Sequence, residues 1–152
     1  MKRIVAVSDS HGMEANLRRA LDAAFADGPV DAAVFLGDGA EEWERVSNEL
    51  LRAHPGLLLF GVRGNNDWNA ALPPFQSFCM GGARFLLCHG HRQHVKYGLD
   101  RLYFFALEQE AHVALYGHTH VSDVTEERGI VFVNPGAVCG YGVFAPPYAE
   151  II

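Results

Sequence analysis

The stretch IVAVSDSH, residues 4–11, is four apolar residues, three of them β-branched, cut off by Ser8-Asp9-Ser10-His11. Four residues are too few for a helix, and a short continuous apolar run bounded by polar residues fits a strand buried on both faces. The strand therefore ends by handing a carboxylate and an imidazole to a loop. The chain repeats this unit. AAVFL (32–36) stops at Gly37-Asp38-Gly39, and LLLFGV (57–62) stops at Arg63-Gly64-Asn65-Asn66-Asp67. Between these runs lie helical patterns. Residues 14–26 place Leu17, Leu21, Ala24 and Phe25 on one stripe, and residues 40–53 do the same with Trp43, Val46, Leu50 and Leu51. Strand alternating with helix predicts βαβ units and a parallel sheet.

Beyond residue 70 the rhythm changes. ARFLLC (83–88) stops at His89-Gly90-His91, HVALY (112–116) at Gly117-His118-Thr119-His120, and IVFV (130–133) at Asn134-Pro135-Gly136. FQSFCM leads through Gly81-Gly82 into ARFLLC, and VSDVTE through Arg128-Gly129 into IVFV, so two antiparallel hairpins and a mixed sheet system are expected. A third helix is expected over about 95–110, with Leu99, Leu102, Tyr103, Ala106 and Leu107 on its apolar side. Pro73-Pro74 and Pro146-Pro147 read as rigid connections.

The 152 residues suit one domain, 1–152, of α/β class. A formal charge of −6 and the absence of a Lys/Arg run argue against a nucleic-acid partner. The apolar run after Lys2-Arg3 is too short for a signal-peptide core, and no segment approaches the ~18 apolar residues of a membrane span, so a soluble cytoplasmic protein with no membrane contact is expected. Cys79, Cys88 and Cys139 are too far apart for a zinc motif and odd in number, and read as buried free thiols. Trp68, Tyr103 and Phe104 would suit a contact between copies in a homo-oligomer.

Ligands of open α/β sheets collect beyond the carboxyl ends of the strands. That edge would carry Asp9, His11, Asp38, Asn65, His89, His118 and His120. Singly, each has a structural explanation: a helix cap, a turn residue, a core or surface histidine. Jointly they are seven oxygen and nitrogen donors, more than the three or four protein ligands of one catalytic ion, and enough for two ions about 3.5–4 Å apart. Asp38 lies between glycines that allow close backbone approach, and its two oxygens could bridge such a pair. Imidazole with carboxylate and amide suits divalent transition metals better than calcium: manganese first, with iron, nickel or zinc as alternatives.

The blocks DSH (9–11), GD (37–38), GNND (64–67), HG (89–90) and GHTH (117–120), in this order, resemble the signature of the calcineurin-like metallophosphoesterase superfamily. HGH (89–91), NPG (134–136) and the short length are most similar to its small bacterial and archaeal YfcE/MJ0936-like phosphodiesterases. The resemblance implies a two-layer mixed β-sandwich flanked by α-helices. It implies one ion held by Asp9, His11, Asp38 and His120, and a second held by Asp38, Asn65, His89 and His118. It further implies hydrolysis of a small phosphodiester by in-line attack of a metal-bridging hydroxide. Many members carry histidine or cysteine where this chain has Asn66. An amide can donate to a phosphate oxygen but has no proton to lose near pH 7, so weak leaving-group protonation and a preference for acidic leaving groups are expected, with His91 as the nearest alternative acid. Within enzymes the competing readings are a phosphomonoesterase or a nucleotide or protein phosphatase. Outside them stands a catalytically weak binding scaffold on the same fold, as in retromer's small subunit, although none of the seven expected ligand positions is substituted.

Overall fold

The computed structural model describes residues 1–68, 71–140 and 148–152; Pro146-Pro147 lies outside them. The first sheet has the order β3-β2-β1-β9, with β1 (Ile4–Val7), β2 (Ala32–Phe35) and β3 (Leu58–Gly61) parallel and β9 (Ala149–Ile151) running against β1. The helices α1 (Glu14–Ala26) and α2 (Ala40–Ala53) are the crossovers between the three parallel strands. The second sheet has the order β4-β5-β6-β8-β7, built from β4 (Phe75–Met80), β5 (Ala83–Cys88), β6 (Val113–Leu115), β7 (Asp123–Glu127) and β8 (Ile130–Asn134). Its centre is parallel, and the hairpins β4–β5 and β7–β8 supply antiparallel edges, as the sequence pattern predicts.

Alternation along the strands decides the layers. In β1, Ile4 and Ala6 face the second sheet and meet Phe85, Leu87, Leu115 and Val133, whereas Val5 and Val7 face outward onto Leu17 and Leu21 of α1. In β5, Phe85 and Leu87 point inward, and Leu86 and Cys88 point outward to Leu102 and Ala106 of α3 (Asp100–Glu108). The central strands of each sheet thus bury both faces, which explains why they read as continuous apolar runs, whereas the edge strand β7 is largely exposed. The result is the two-layer sandwich flanked by helices.

Two sequence expectations need correction. The third helix does not span 95–110: Val95–Tyr97 form one 3₁₀ turn, Gly98 sits at φ 127°, outside any right-handed helix, and α3 begins only at Asp100. Of the three cysteines only Cys88 is buried; Cys79 is exposed and Cys139 half-buried, and all three are free thiols.

A ring stack closes one edge of the sandwich. Phe60 of β3 lies 4.1 Å from Phe78 of β4, and Phe78 lies 5.0 Å from Phe85 of β5, both pairs nearly parallel. Phe78 is partly buried and touches both sheets, so Phe78→Ala is expected to cost ~2–3 kcal/mol, read from the midpoint of urea unfolding. A loss below ~0.5 kcal/mol would show that the stack contributes nothing beyond surface contact.

Candidate metal centre

The carboxyl ends of β1, β2, β3, β5 and β6 deliver the polar loops to one rim of the sandwich. The backbone there is unusual. Asp9, His11, Asp38, His118 and His120 all have positive φ, between 43° and 70°. A left-handed non-glycine residue costs ~1–2 kcal/mol, so five of them on one rim are held by surrounding structure. The holding bonds are visible: Asp9 N–H donates to Gly37 O (2.9 Å), His11 N–H to Asp38 O (2.9 Å), and Cys139 N–H to Asp9 O (3.0 Å). Close packing adds to them. A Cβ on Gly64 would overlap Asp38 Oδ1, and a Cβ on Gly117 would overlap Ser8 Oγ, so both loops approach as only glycine permits.

Six of the seven expected ligands fall into two groups. In the first, Asp9 Oδ1, His11 Nε2 and His120 Nε2 are mutually 3.1–3.2 Å apart. In the second, His89 Nε2 is 3.3 Å from Asp38 Oδ2 and 3.2 Å from His118 Nδ1. Within each group the ligand atoms lie within 4.8 Å of one another, which suits three protein ligands about 2.0–2.2 Å from a shared ion. Asp38 Oδ2 is also 3.6 Å from His11 Nε2, so one carboxylate oxygen faces both groups. This donor set, carboxylate and imidazole without thiolate, fits borderline divalent ions.

Neighbouring groups aim these atoms. Asp9 is fully buried; its Oδ2 accepts from Ser8 Oγ (2.5 Å) and from His118 N–H (3.1 Å), which leaves Oδ1 for the imidazoles. His89 Nδ1 lies 2.7 Å from Leu36 O, an acceptor only, so Nδ1 carries a proton and Nε2 is presented to the centre. Burial alone would lower the pKa of His89; its hydrogen bond to Asp38 and the charges of Asp9 and Asp38 override that and raise it. Burial would likewise raise the pKa of Asp38, but the hydrogen bond and charge of His89, with the amide donors of Asn66, hold it well below the usual carboxylate range. His118 is pushed down to about 4, first by burial and then by the charge of His89. Asp38 is thus ionised and His118 neutral near pH 7, the forms that bind cations.

Asn65 is exposed in the turn after β3 and makes no hydrogen bond among the described residues. Asn66 is turned to Asp38: its backbone N–H donates to Oδ1 (2.9 Å) and its side-chain Nδ2 to Oδ2 (3.0 Å). The amide read from sequence as a phosphate donor is therefore engaged with the shared carboxylate. His91 stands beside the second group, with ring centroids 5.5 Å from His89 and 6.1 Å from His118, and its buried Nδ1 has no hydrogen-bond partner among the described residues. Its pKa is lowered, first by burial and then by the charges of His89 and Arg92, which makes it a scarcer proton donor near neutrality.

Sequence reading missed two carboxylates. Asp67 accepts from four backbone N–H groups: Asp38 (2.7 Å) and Gly64 (2.8 Å) on Oδ2, Gly39 and Ala40 (3.0 Å each) on Oδ1. It thereby caps the start of α2, whose own cap residue Gly39 has no side chain to do so. Glu42, buried on α2, accepts from Ser10 Oγ (2.7 Å) and Gly12 N–H (2.8 Å), bracketing His11. Asp67 ended a quoted motif, but only the fold shows what it holds; for Glu42 the one available signal was a carboxylate on the apolar side of a helix.

The chain matches the model of the calcineurin-like phosphoesterase superfamily domain over residues 1–151. It is 30% identical over 136 residues to the probable metallophosphoesterase YsnB of Bacillus subtilis, covering 89% of this chain and 74% of that one. It is 28% identical over 153 residues to phosphodiesterase MJ0936 of Methanocaldococcus jannaschii, with 91% and 86% covered. The crystal structure of a conserved, predicted phosphoesterase from Streptococcus pneumoniae superposes with a TM-score of 0.76 at 28% identity, over 99% of this chain and 83% of that one. With its sandwich, its two ligand groups and a family match from end to end, this chain belongs to the calcineurin-like phosphoesterase superfamily.

Proposed function

We propose that this phosphoesterase is a phosphodiesterase that works with two divalent transition-metal ions. The observation that carries the reading is Asp38, whose Oδ2 lies 3.3 Å from an imidazole of one ligand group and 3.6 Å from an imidazole of the other. Asp9, His11 and His120 would hold one ion, and His89 and His118, joined by Asn65, the other. When bound, the pair supplies positive charge for the phosphoryl oxygens and lowers the pKa of water so that it can attack phosphorus in line with the leaving alcohol.

The chain's own residues fix geometry and protonation. Ser8 and the His118 N–H orient Asp9, Leu36 O sets the His89 tautomer, and Asn66 fixes Asp38. No side chain serves as covalent nucleophile in this reading. Because Asn66 cannot release a proton and burial lowers the pKa of His91, departure of the alcohol depends on its own acidity, which favours phenolic over alkyl leaving groups.

The test is metal analysis of the protein loaded with manganese, together with hydrolysis of bis(p-nitrophenyl) phosphate and p-nitrophenyl phosphate. Two ions per chain, loss of activity on chelation and a diester rate exceeding the monoester rate are expected. A faster monoester rate would make it a phosphomonoesterase. Metal uptake with no turnover of either ester would identify a scaffold.

A further inference from the structure

Beside the metal centre lies a cavity of about 850 Å³ with His11, Asp38 and Asn66 on its inner wall. Apolar side chains also line it: Trp43 and Ala40 of α2, and Trp68, Ala71 and Leu72 beyond β3. Trp43 is buried and stacked on Phe35 at 5.3 Å, so its place in the wall is fixed by the core. Trp68 is the opposite case. Its indole is 87% exposed, the largest apolar side chain left so open among the described residues, and it sits at the rim of this same cavity. An exposed indole gains by covering its face with a flat ring.

The charge of the wall is one-sided. Asp38, Glu41, Glu42, Glu44 and Asp67 line the cavity, and among the described residues no lysine or arginine does. Asp38, Glu42 and Asp67 are committed to internal donors, whereas Glu41 and Glu44 are exposed at the mouth. A second phosphate or a carboxylate entering here, away from the metal groups, would meet like charge with no lysine or arginine to offset it. An uncharged ring would meet none.

Resting on the phosphodiesterase reading, we propose that this cavity binds an organic substituent of the phosphoester, an uncharged aromatic group, and that Trp68 is its specificity-determining residue. The substrate class is then an aryl or nucleobase-like phosphodiester with one phosphorus, not a polyphosphate. The metal groups hold the phosphoryl oxygens, and the ring extends along the α2 wall to Trp68.

The test is binding rather than turnover. Dissociation constants of phenylphosphonate, methylphosphonate and 4-carboxyphenylphosphonate are measured by calorimetry on the manganese-loaded full chain. Phenylphosphonate is expected to bind about tenfold more tightly than methylphosphonate, and the added carboxylate to cancel most of that gain. In Trp68→Ala the phenyl-to-methyl ratio should fall close to one, and Trp68→Phe should keep most of it. A ratio near one in the unaltered protein, or an unchanged ratio in Trp68→Ala, overturns the proposal while leaving the phosphodiesterase reading intact. If neither simple phosphonate binds the loaded protein, the phosphodiesterase reading fails and the subsite with it. Light scattering is run on both variants. A change of oligomeric mass in Trp68→Ala with the ratio unaltered would assign the indole to a contact between copies and would also overturn the proposal.

Discussion

Asp38→Asn is expected to lower phosphodiester hydrolysis by at least ~10³-fold and to empty both metal positions together. The substitution keeps the shape of the side chain and removes its charge. In the native chain Asp38 Oδ2 faces His89 at 3.3 Å and His11 at 3.6 Å, so both ligand groups lose an anionic oxygen at once. An amide in its place would also turn an N–H toward one of these imidazoles or toward the Asn66 donors, since it has one acceptor oxygen and the carboxylate has two. His11→Ala and His118→Ala provide the contrast. Each touches one group, so each should deplete one metal position more than its neighbour. Metal content per chain and the rate on bis(p-nitrophenyl) phosphate are the measurements, with circular dichroism to show that the sandwich is retained. Two ions bound and activity within tenfold of the native chain in Asp38→Asn would refute the shared-carboxylate arrangement.

Asp67→Ala is expected to cost ~2–3 kcal/mol of stability and to weaken metal binding by ~10–100-fold. Asp67 is not within either ligand group. Its two oxygens accept the N–H groups of Asp38, Gly39, Ala40 and Gly64, which are the start of α2 and the two loops around the shared carboxylate. Removing one cap acceptor typically costs ~1 kcal/mol, and here four partly buried donors lose their partner, with water able to recover part of the loss. Asp67→Asn keeps one accepting oxygen but sets an N–H against backbone donors, so its stability should lie between the two. Urea unfolding and metal titration of the three proteins measure both effects. Equal metal affinity in all three would mean that the loop keeps its shape without the cap.

How much of this is legible from residues alone follows from which interactions are local. Short apolar runs and their stops located eight strands, because each depends only on its own side chains, and the stops carried the ligands. β9 carries no such signal: three residues with Glu150 in the middle make no pattern, and their ties are nonlocal, the antiparallel pairing with β1 and the ion pair of Glu150 with Arg3 at 2.6 Å. The pairing of β6 with β8, past β7, is equally nonlocal. Gly98 was a readable break that the apolar stripe of the third helix overrode. For the site, the ligand types and their order were legible, and Asp67 was visible as a letter without a task, since three of its four partners lie 27 to 29 positions away, at the start of α2.

The five left-handed ligand residues bear on attempts to make the protein tougher. Substituting glycine or asparagine at His11, His118 or His120 would relax the backbone, and screens that select only for survival on heating should therefore enrich such changes. Each one discards a ligand. A programme of heat selection on this chain would drift toward a sturdier sandwich with an empty rim, unless turnover is selected in the same round. The sheets and the helix faces, where no ligand sits, are the places to look for gains without that loss.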